Sequence, residues 1–320
     1  MDPNALLLDA EKTVAQITET IRTQIKDTLK RRGVVLGLSG GIDSSVVAAL
    51  CVRALGAERV FGIFMPERDS SDDALILGRM LADSLGISTV VENIEPALRG
   101  LKCYDRQDEA IKATFPEYES GMKFKLTLPS LLEGNRMNIF RLTLALPSGE
   151  LKSARMRPES YLQLVAATNF KQRIRKTIEY YHADRLNFAV AGTPNRLEYD
   201  QGFFVKQGDG AADLKPIAHL YKTQVYQLAE YLGVPEEIRR RPPTTDTYSL
   251  PQTQEEFYFA LPYDKMDLCL YARNHDINAN EVAELLGLKT DQIEAVYQDI
   301  DNKRRTTAYL KAYPLFVEPI

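Results

Sequence analysis

Val34-Val35-Leu36-Gly37-Leu38-Ser39-Gly40-Gly41-Ile42-Asp43-Ser44-Ser45 runs from a short apolar stretch through a glycine-rich turn into Val46-Val47-Ala48-Ala49-Leu50. The first part reads as a buried strand over 34–38 and the last as a helix over 46–55. Between them, Gly40 and Gly41 allow a tight bend and a close approach to a ligand without a β-carbon in the way. Successive N–H groups in such a turn form an anion nest, and the helix that follows adds its positive dipole end. Ser39, Ser44 and Ser45 supply hydroxyls, and Asp43 offers a carboxylate to a divalent ion bridging phosphate oxygens. No G-x-x-x-x-G-K-[ST] pattern is present, so this is not a Walker loop. The plain alternative is a glycine turn with no ligand.

Working outward, Val14, Ile17, Ile21, Ile25 and Leu29 recur at helical spacing, which predicts an amphipathic helix over 14–29. A strand is predicted over 60–64, a helix over 71–85 with Asp72 and Asp73 in its first turn, and a strand over 88–91. Strands alternating with helices imply a doubly wound parallel sheet covered on both faces, an α/β fold. The pattern resumes with a helix over 160–181, a strand over 186–191 and a helix over 222–232. Helices over 280–286 and 291–301 fall in a C-terminal helical segment of about 264–312.

The middle of the chain breaks this rhythm. Phe124, Leu126 and Leu128 alternate with polar neighbours, and Pro147-Ser148-Gly149 is a turn between extended runs. Residues 123–157 therefore read as a small antiparallel β meander, about 121–158 at its widest, inserted into a single α/β domain spanning 1–320. Such an insertion serves either as a surface elaboration or dimer contact, or as a lid or substrate clamp.

Composition narrows the chemistry. The 320 residues carry 40 Lys/Arg against 44 Asp/Glu, a formal net charge of −4, which does not suit a protein that coats nucleic acid. The three cysteines, Cys51, Cys103 and Cys269, are far apart, arguing against a thiolate metal site or a disulfide framework and for a reducing compartment. Only His182, His219 and His275 are available to imidazole chemistry. No apolar run approaches the roughly 20 residues of a membrane span, and the N-terminus lacks a secretory pattern. The expectation is a cytoplasmic protein.

The Ser39–Ser45 loop resembles the SGGxDS loop of the N-type ATP pyrophosphatases, which split ATP between its α- and β-phosphates and leave an adenylylated substrate. A second block is more specific: Gly192-Thr193-Pro194-Asn195-Arg196-Leu197-Glu198, then Gly202-Phe203-Phe204-Val205-Lys206-Gln207-Gly208-Asp209-Gly210-Ala211-Ala212-Asp213. It is similar to the GT…E…GFFTKYGDGGAD signature of ammonia-dependent NAD synthetase. Leu220-Tyr221-Lys222, Pro243-Thr244-Thr245-Asp246, Asn302-Lys303-Arg304 and the 169–175 helix stretch resemble further motifs of that family, in order.

The resemblance implies an adenine nucleotide alpha hydrolase-like fold and a homodimer. It also implies ATP-dependent amidation of deamido-NAD by ammonia through an acyl-adenylate. ATP would be held by Gly37, Leu38, Ser39, Gly40, Gly41, Ile42, Asp43, Ser44, Ser45, Thr193, Lys222 and Thr244. Asp43 and Glu198 would hold Mg2+; Asp43, Lys206 and Lys222 would be catalytic. Arg173, Lys206, Asp213, Asn302 and Lys303 would meet deamido-NAD.

Residues 151–185 hold eight Lys/Arg and three Asp/Glu, a local +5 suited to two anionic substrates. Tyr180, Tyr181, Phe203 and Phe204 are candidates for ring stacking, with core packing the commoner fate. No glutaminase domain is expected, so ammonia comes from solution or from a separate glutaminase. Two departures from the pattern, the insertion and Asn302 in place of a family histidine, leave open a relative acting on a different nucleotide-like acid. A nucleotide-binding regulator without catalysis is the third reading.

Overall fold

The structure is a computed structural model that describes residues 1–127, 140–243, 248–259 and 261–318. Along the chain, α1 (Ala10–Thr23), β1 (Val34–Gly37), α2 (Ile42–Leu55), β2 (Val60–Phe64), α3 (Asp72–Leu85) and β3 (Ser88–Val91) alternate. Next come α4 (Glu95–Gly100), α5 (Cys103–Lys112) and the strands β4 (Phe124–Thr127), β5 (Arg141–Ala145) and β6 (Leu151–Arg155). The long helix α6 (Pro158–Leu186) leads into β7 (Ala189–Val190), α7 (Arg196–Gln201), α8 (Lys222–Tyr231) and α9 (Glu236–Arg240). Helices α10 (Tyr263–Asn274), α11 (Ala279–Leu286) and α12 (Thr290–Lys311) complete the chain's regular structure.

The main sheet has the order β3-β2-β1-β7, with every pairing parallel. Alternation along β1 sorts its side chains: Val34 and Leu36 join Val46, Val47 and Leu50 of α2 on one face, together with α1 and α8. Val35 points the other way and packs with Ile63, Val190 and Ala183 of α6. Helices on both faces make this the doubly wound α/β fold expected from the sequence. Chain order reverses between β1 and β7, so the crevice beyond their carboxyl ends is where such sheets bind ligands.

The inserted strands form a separate antiparallel sheet, β4-β5-β6. Phe124, Leu126, Leu142 and Leu144 are buried on one face against Ile111 and Phe115 and against Leu164 of α6. At roughly 1.5–3 kcal/mol for each large apolar side chain, this contact stabilises a ribbon that would be marginal alone. Leu128, part of the expected alternation, lies outside the described residues.

Several boundaries differ from expectation. The helix expected over 14–29 begins at Ala10 and passes at Gln24 into one wider π-helical turn, closed by Leu29 N–H donating to the Gln24 carbonyl at 2.8 Å. The strand expected over 186–191 shrinks to Ala189–Val190 because α6 continues to Leu186 and stops at Asn187, whose φ of 54° is left-handed. Leu186 belongs to the last helical turn. Helices α4, α5, α7 and α9 were not expected: they are short, polar and weakly periodic. No helix of the described residues is long and apolar enough to cross a membrane.

Candidate active site

The turn after β1 is built as its residues require. Gly40 has φ 70°, and a β-carbon there would lie 2.5 Å from the Ala74 carbonyl oxygen, so both backbone and space demand glycine. The Ser44 and Ser45 hydroxyls donate to the Gly41 carbonyl at 3.0 and 2.8 Å, and the Gly41 N–H donates to Ser39 Oγ at 3.3 Å. No side chain caps α2, so its first-turn N–H groups remain at the cleft, where Gly41, Ile42, Asp43 and Ser44 form part of the wall.

That cleft holds about 1030 Å³ and is large enough for a nucleotide beside a second ligand. Gly37, Leu38, Ser39 and Thr193 also line it, whereas Gly40 and Ser45 stand behind the lining. Thr244 lies outside the described residues, although Pro242 and Pro243 before it reach the wall.

Asp43 of α2 and Glu198 of α7 face the cleft, while Lys222 at the start of α8 and Asn195, the residue before α7, stand behind them out of the lining. The fully buried Lys222 ammonium pairs with Asp43 Oδ2, and Asn195 Nδ2 donates to Asp43 Oδ1 at 3.0 Å. Asn195 also caps α7: its Oδ1 accepts from Glu198 N–H at 3.2 Å, while Glu198 Oε2 accepts from Asn195 N–H at 3.1 Å.

Burial, with Asp43 beside it, pushes the Glu198 carboxyl up to about 8, although Lys222 opposes that rise. Burial alone would lower Lys222, but Asp43 and Glu198 outweigh it and the ammonium is held above its usual range. The two carboxylates are hard oxygen donors. Among the described residues no group of three or more His, Cys, Asp or Glu could cage an ion. Two hard carboxylate donors suit Mg2+, which takes one or two carboxylates and fills its shell with phosphate oxygens and water.

The expected cation at a helix start is explained by the same geometry. Asp267 of α10 accepts from the N–H groups of Lys222 and Thr223 at 3.2 and 2.6 Å, balancing the positive end of α8. The Lys222 side chain is thereby free to turn toward Asp43. Asp267 itself is pushed up to about 6 by burial, against the lowering effect of those hydrogen bonds.

The residues expected to meet the second substrate divide. Arg173 and Lys206 line the cleft. Arg173 Nε donates to the Lys206 carbonyl at 3.3 Å, and Lys206 Nζ donates to the carbonyls of Tyr309 and Ala312 at the end of α12. Asp213 is set back from the lining: its carboxylate accepts from Val190 N–H at 2.7 Å and Tyr180 OH at 3.2 Å, which pins β7. Asn302 is exposed on α12 and accepts from Arg305. Lys303, half-buried on the same helix, pairs with Asp299 and donates to the Tyr258 carbonyl at 2.7 Å.

The local +5 is also reduced. Lys171 turns inward to Glu67 and Asp69, and Lys176 pairs with Glu179 within the wall itself, so the net positive charge that α6 adds to the wall comes from Arg173 and Arg175. Among the ring candidates, Phe203 stacks on Tyr258 at 4.7 Å and Phe204 on Tyr199 at 5.6 Å, with Phe203, Phe204 and Tyr258 all lining the cleft. Tyr181 is exposed.

Asn195, Asp267 and Gln254 were not singled out from the sequence. Asn195 could have been found from its N-x-x-E capping box. Asp267 could not, since it lies 45 residues from Lys222.

Comparison with known proteins follows the same outline. A family model described as NAD synthase matches residues 13–117 and 135–308. The unmatched interval contains β4, so only part of the inserted meander departs from the family pattern. The NH(3)-dependent NAD(+) synthetase of Mesorhizobium japonicum is 63% identical over 310 residues, covering 97% of each chain. That of Rhizobium rhizogenes is 56% identical over 320 residues, covering 100% of this chain and 96% of its own. Among solved structures, the NH3-dependent NAD synthetase from Campylobacter jejuni superposes with a TM-score of 0.63 at 25% identity, covering 97% of this chain and all of its own. The NMN synthetase from Francisella tularensis gives 0.66 at 21% identity, with 97% and 99% covered, a likeness of fold.

Proposed function

The chain belongs to the NAD synthase family, and from that premise we propose how its cleft divides the work. It is a ligase forming a carbon–nitrogen bond: with ATP and ammonia it converts deamido-NAD to NAD, AMP and pyrophosphate through an acyl-adenylate. A nicotinate carboxylate oxygen attacks the α-phosphorus, the bond to the β-phosphate bridge breaks, and pyrophosphate leaves. Ammonia then adds to the acyl carbon, loses a proton, and AMP departs with the former carboxylate oxygen.

The Ser39–Ser45 turn and the uncapped start of α2 hold the departing phosphates. Gly37, Leu38 and Thr193 bound the nucleotide. Lys222 neutralises charge as pyrophosphate forms, and Asp43 and Glu198 would hold Mg2+. When bound, the ion neutralises charge on the phosphate oxygens. Arg173 and Lys206 receive the anionic dinucleotide at the rim. Lys303 acts by holding Tyr258, whose ring lines the cleft, and Asp213 by fixing β7. Asn302, exposed on α12, lies outside the cleft lining and has no assigned contact with deamido-NAD within one chain. A homodimer is supported by the exposed run Tyr313, Leu315, Phe316 and Val317 after that helix. Three buried free cysteines support a reducing, cytoplasmic setting.

The observation that carries the assignment of roles is the meeting of Asp43, Lys222 and Glu198 at the carboxyl ends of β1 and β7. Pyrophosphate release with ATP, Mg2+ and ammonium, compared across deamido-NAD, nicotinate mononucleotide and simple carboxylates, tests the reading. Turnover confined to deamido-NAD is expected. Preference for the mononucleotide would redirect the substrate assignment, and failure to release pyrophosphate with any acid would remove the enzyme reading.

A further inference from the structure

The inserted meander is tied to the floor of the cleft by one continuous set of bonds. Its strand β4 holds the segment that follows the Pro242-Pro243 rim. Phe124 N–H donates to Ser249 Oγ at 3.0 Å, Leu250 N–H donates to the Phe124 carbonyl at 3.1 Å, and Gln252 Nε2 donates to the Leu126 carbonyl. Tyr248 and Phe257, at the two ends of this segment, pack into the meander's own apolar cluster. Two residues beyond Gln252, the Gln254 side chain reaches Glu198: Nε2 donates to Oε1 at 3.2 Å. Its orientation is fixed from the other side, because Gln254 Oε1 accepts from Tyr263 OH at 2.9 Å. The Gln254 backbone N–H donates to the Pro243 carbonyl at 3.2 Å, which joins the same residue to the rim.

Glu198 is thus held at both oxygens. Oε2 is fixed by the capping box of its own helix and Oε1 by Gln254. The capping box alone leaves the carboxylate a degree of rotation, and the amide of Gln254 removes it. The Tyr263 ring that orients Gln254 also lies 5.6 Å from Lys222 Nζ, so the same contacts border the Asp43–Lys222 pair. We propose that Gln254 is a positioning residue that aims the Glu198 carboxylate, and that the inserted meander serves to brace it. The inference rests on the reading of Glu198 as a metal ligand. Gln254 also lines the cleft, but its side-chain hydrogen bonds go to Glu198 and Tyr263. Partners of this kind orient a ligating carboxylate, and their loss weakens metal binding more than it weakens substrate binding.

The test uses the full chain with an ATP analogue whose α,β bridge is a methylene, and Mn2+ as the probe, followed by electron paramagnetic resonance. Gln254→Ala should weaken Mn2+ binding roughly tenfold, with KM for deamido-NAD changed less than about twofold. Gln254→Glu keeps the shape but sets a second carboxylate against Glu198, and should weaken Mn2+ binding more than alanine does. In a Glu198→Gln background the effect of Gln254→Ala should vanish. Ser249→Ala, which removes one tie to β4 without opening a core, should weaken Mn2+ binding in the same direction by a smaller factor.

If Glu198→Gln weakens Mn2+ binding while Gln254→Ala leaves it unchanged, the positioning role is wrong and the metal reading stands. If Glu198→Gln changes nothing, the metal reading fails and takes the inference with it. Unchanged Mn2+ binding in Ser249→Ala would remove the meander from the brace.

Discussion

Lys222 stands behind the cleft wall as a fully buried ammonium, with the acidic groups of Asp43 and Glu198 between it and the open space. Lys222→Met keeps the bulk but leaves Asp43 and Glu198 facing each other without a cation. Turnover should fall by about 10²–10³, the loss seen when a preorganised electrostatic contact is removed, measured as pyrophosphate release with the fold checked by circular dichroism. Residual activity near that of the parent would remove Lys222 from the chemistry.

The raised Glu198 carboxyl adds a dependence on pH. A carboxyl raised to about 8 holds its proton at neutral pH, and on the proposed role of Glu198 a bound ion would displace that proton. Affinity for Mg2+–ATP should therefore rise with pH and level off above about 8. Calorimetry in buffers of different ionisation enthalpy should show proton release at pH 7, and a flat profile between pH 6 and 8.5 would contradict it. Asp43, Glu198 and Lys222 were legible in the sequence because each sits in a family motif. Gln254 was not: its contact with Glu198 spans 56 residues and leaves no local trace.

Among the elements, α8 shows how a helix start is made to serve a buried cation. Asp267 takes the two N–H groups that Lys222 and Thr223 present. Asp267→Ala should cost about 1–2 kcal/mol, the usual loss for an N-terminal capping group, read from denaturant unfolding. It should also lower turnover by disturbing Lys222, whereas a loss confined to stability would separate the cap from the site. Gly40→Ala should weaken ATP binding, because the turn after β1 must shift to relieve the contact with the Ala74 carbonyl. Unchanged ATP affinity in that variant would show that the turn does not cradle phosphate. The strands β1, β2 and β3 were readable from their apolar runs within a residue at either end. The end of α6 was not, since Leu186 is apolar in a last helical turn as it would be in a strand. The helix α5 escaped notice because its buried face includes Gln107 and Tyr104 rather than an aliphatic stripe.

For the molecule as a whole, the scarcity of thiol and imidazole groups suits chemistry carried by ATP. Cys51, Cys103 and Cys269 are fully buried, and burial pushes their thiols up to about 12, 11 and 12. None should react with a charged disulfide reagent at pH 8 in the native protein, and all three should react on unfolding; a fast-reacting thiol in the native state would contradict their placement. The parallel sheet and its cleft followed from the sequence, since both come from local patterns repeated in order.

The bracing of the cleft by the meander did not, because residues 248–254 meet β4 only in the folded chain. The local positive charge was overestimated for the same reason: Lys171 and Lys176 find buried partners that composition does not reveal. Transfer of label from deamido-NAD prepared with an 18O carboxylate is the most direct measurement of the chemistry assigned to the cleft. One 18O should appear in AMP and none in pyrophosphate, as attack on the α-phosphorus requires. Unlabelled AMP, or ADP and phosphate as products, would show that activation does not pass through an acyl-adenylate.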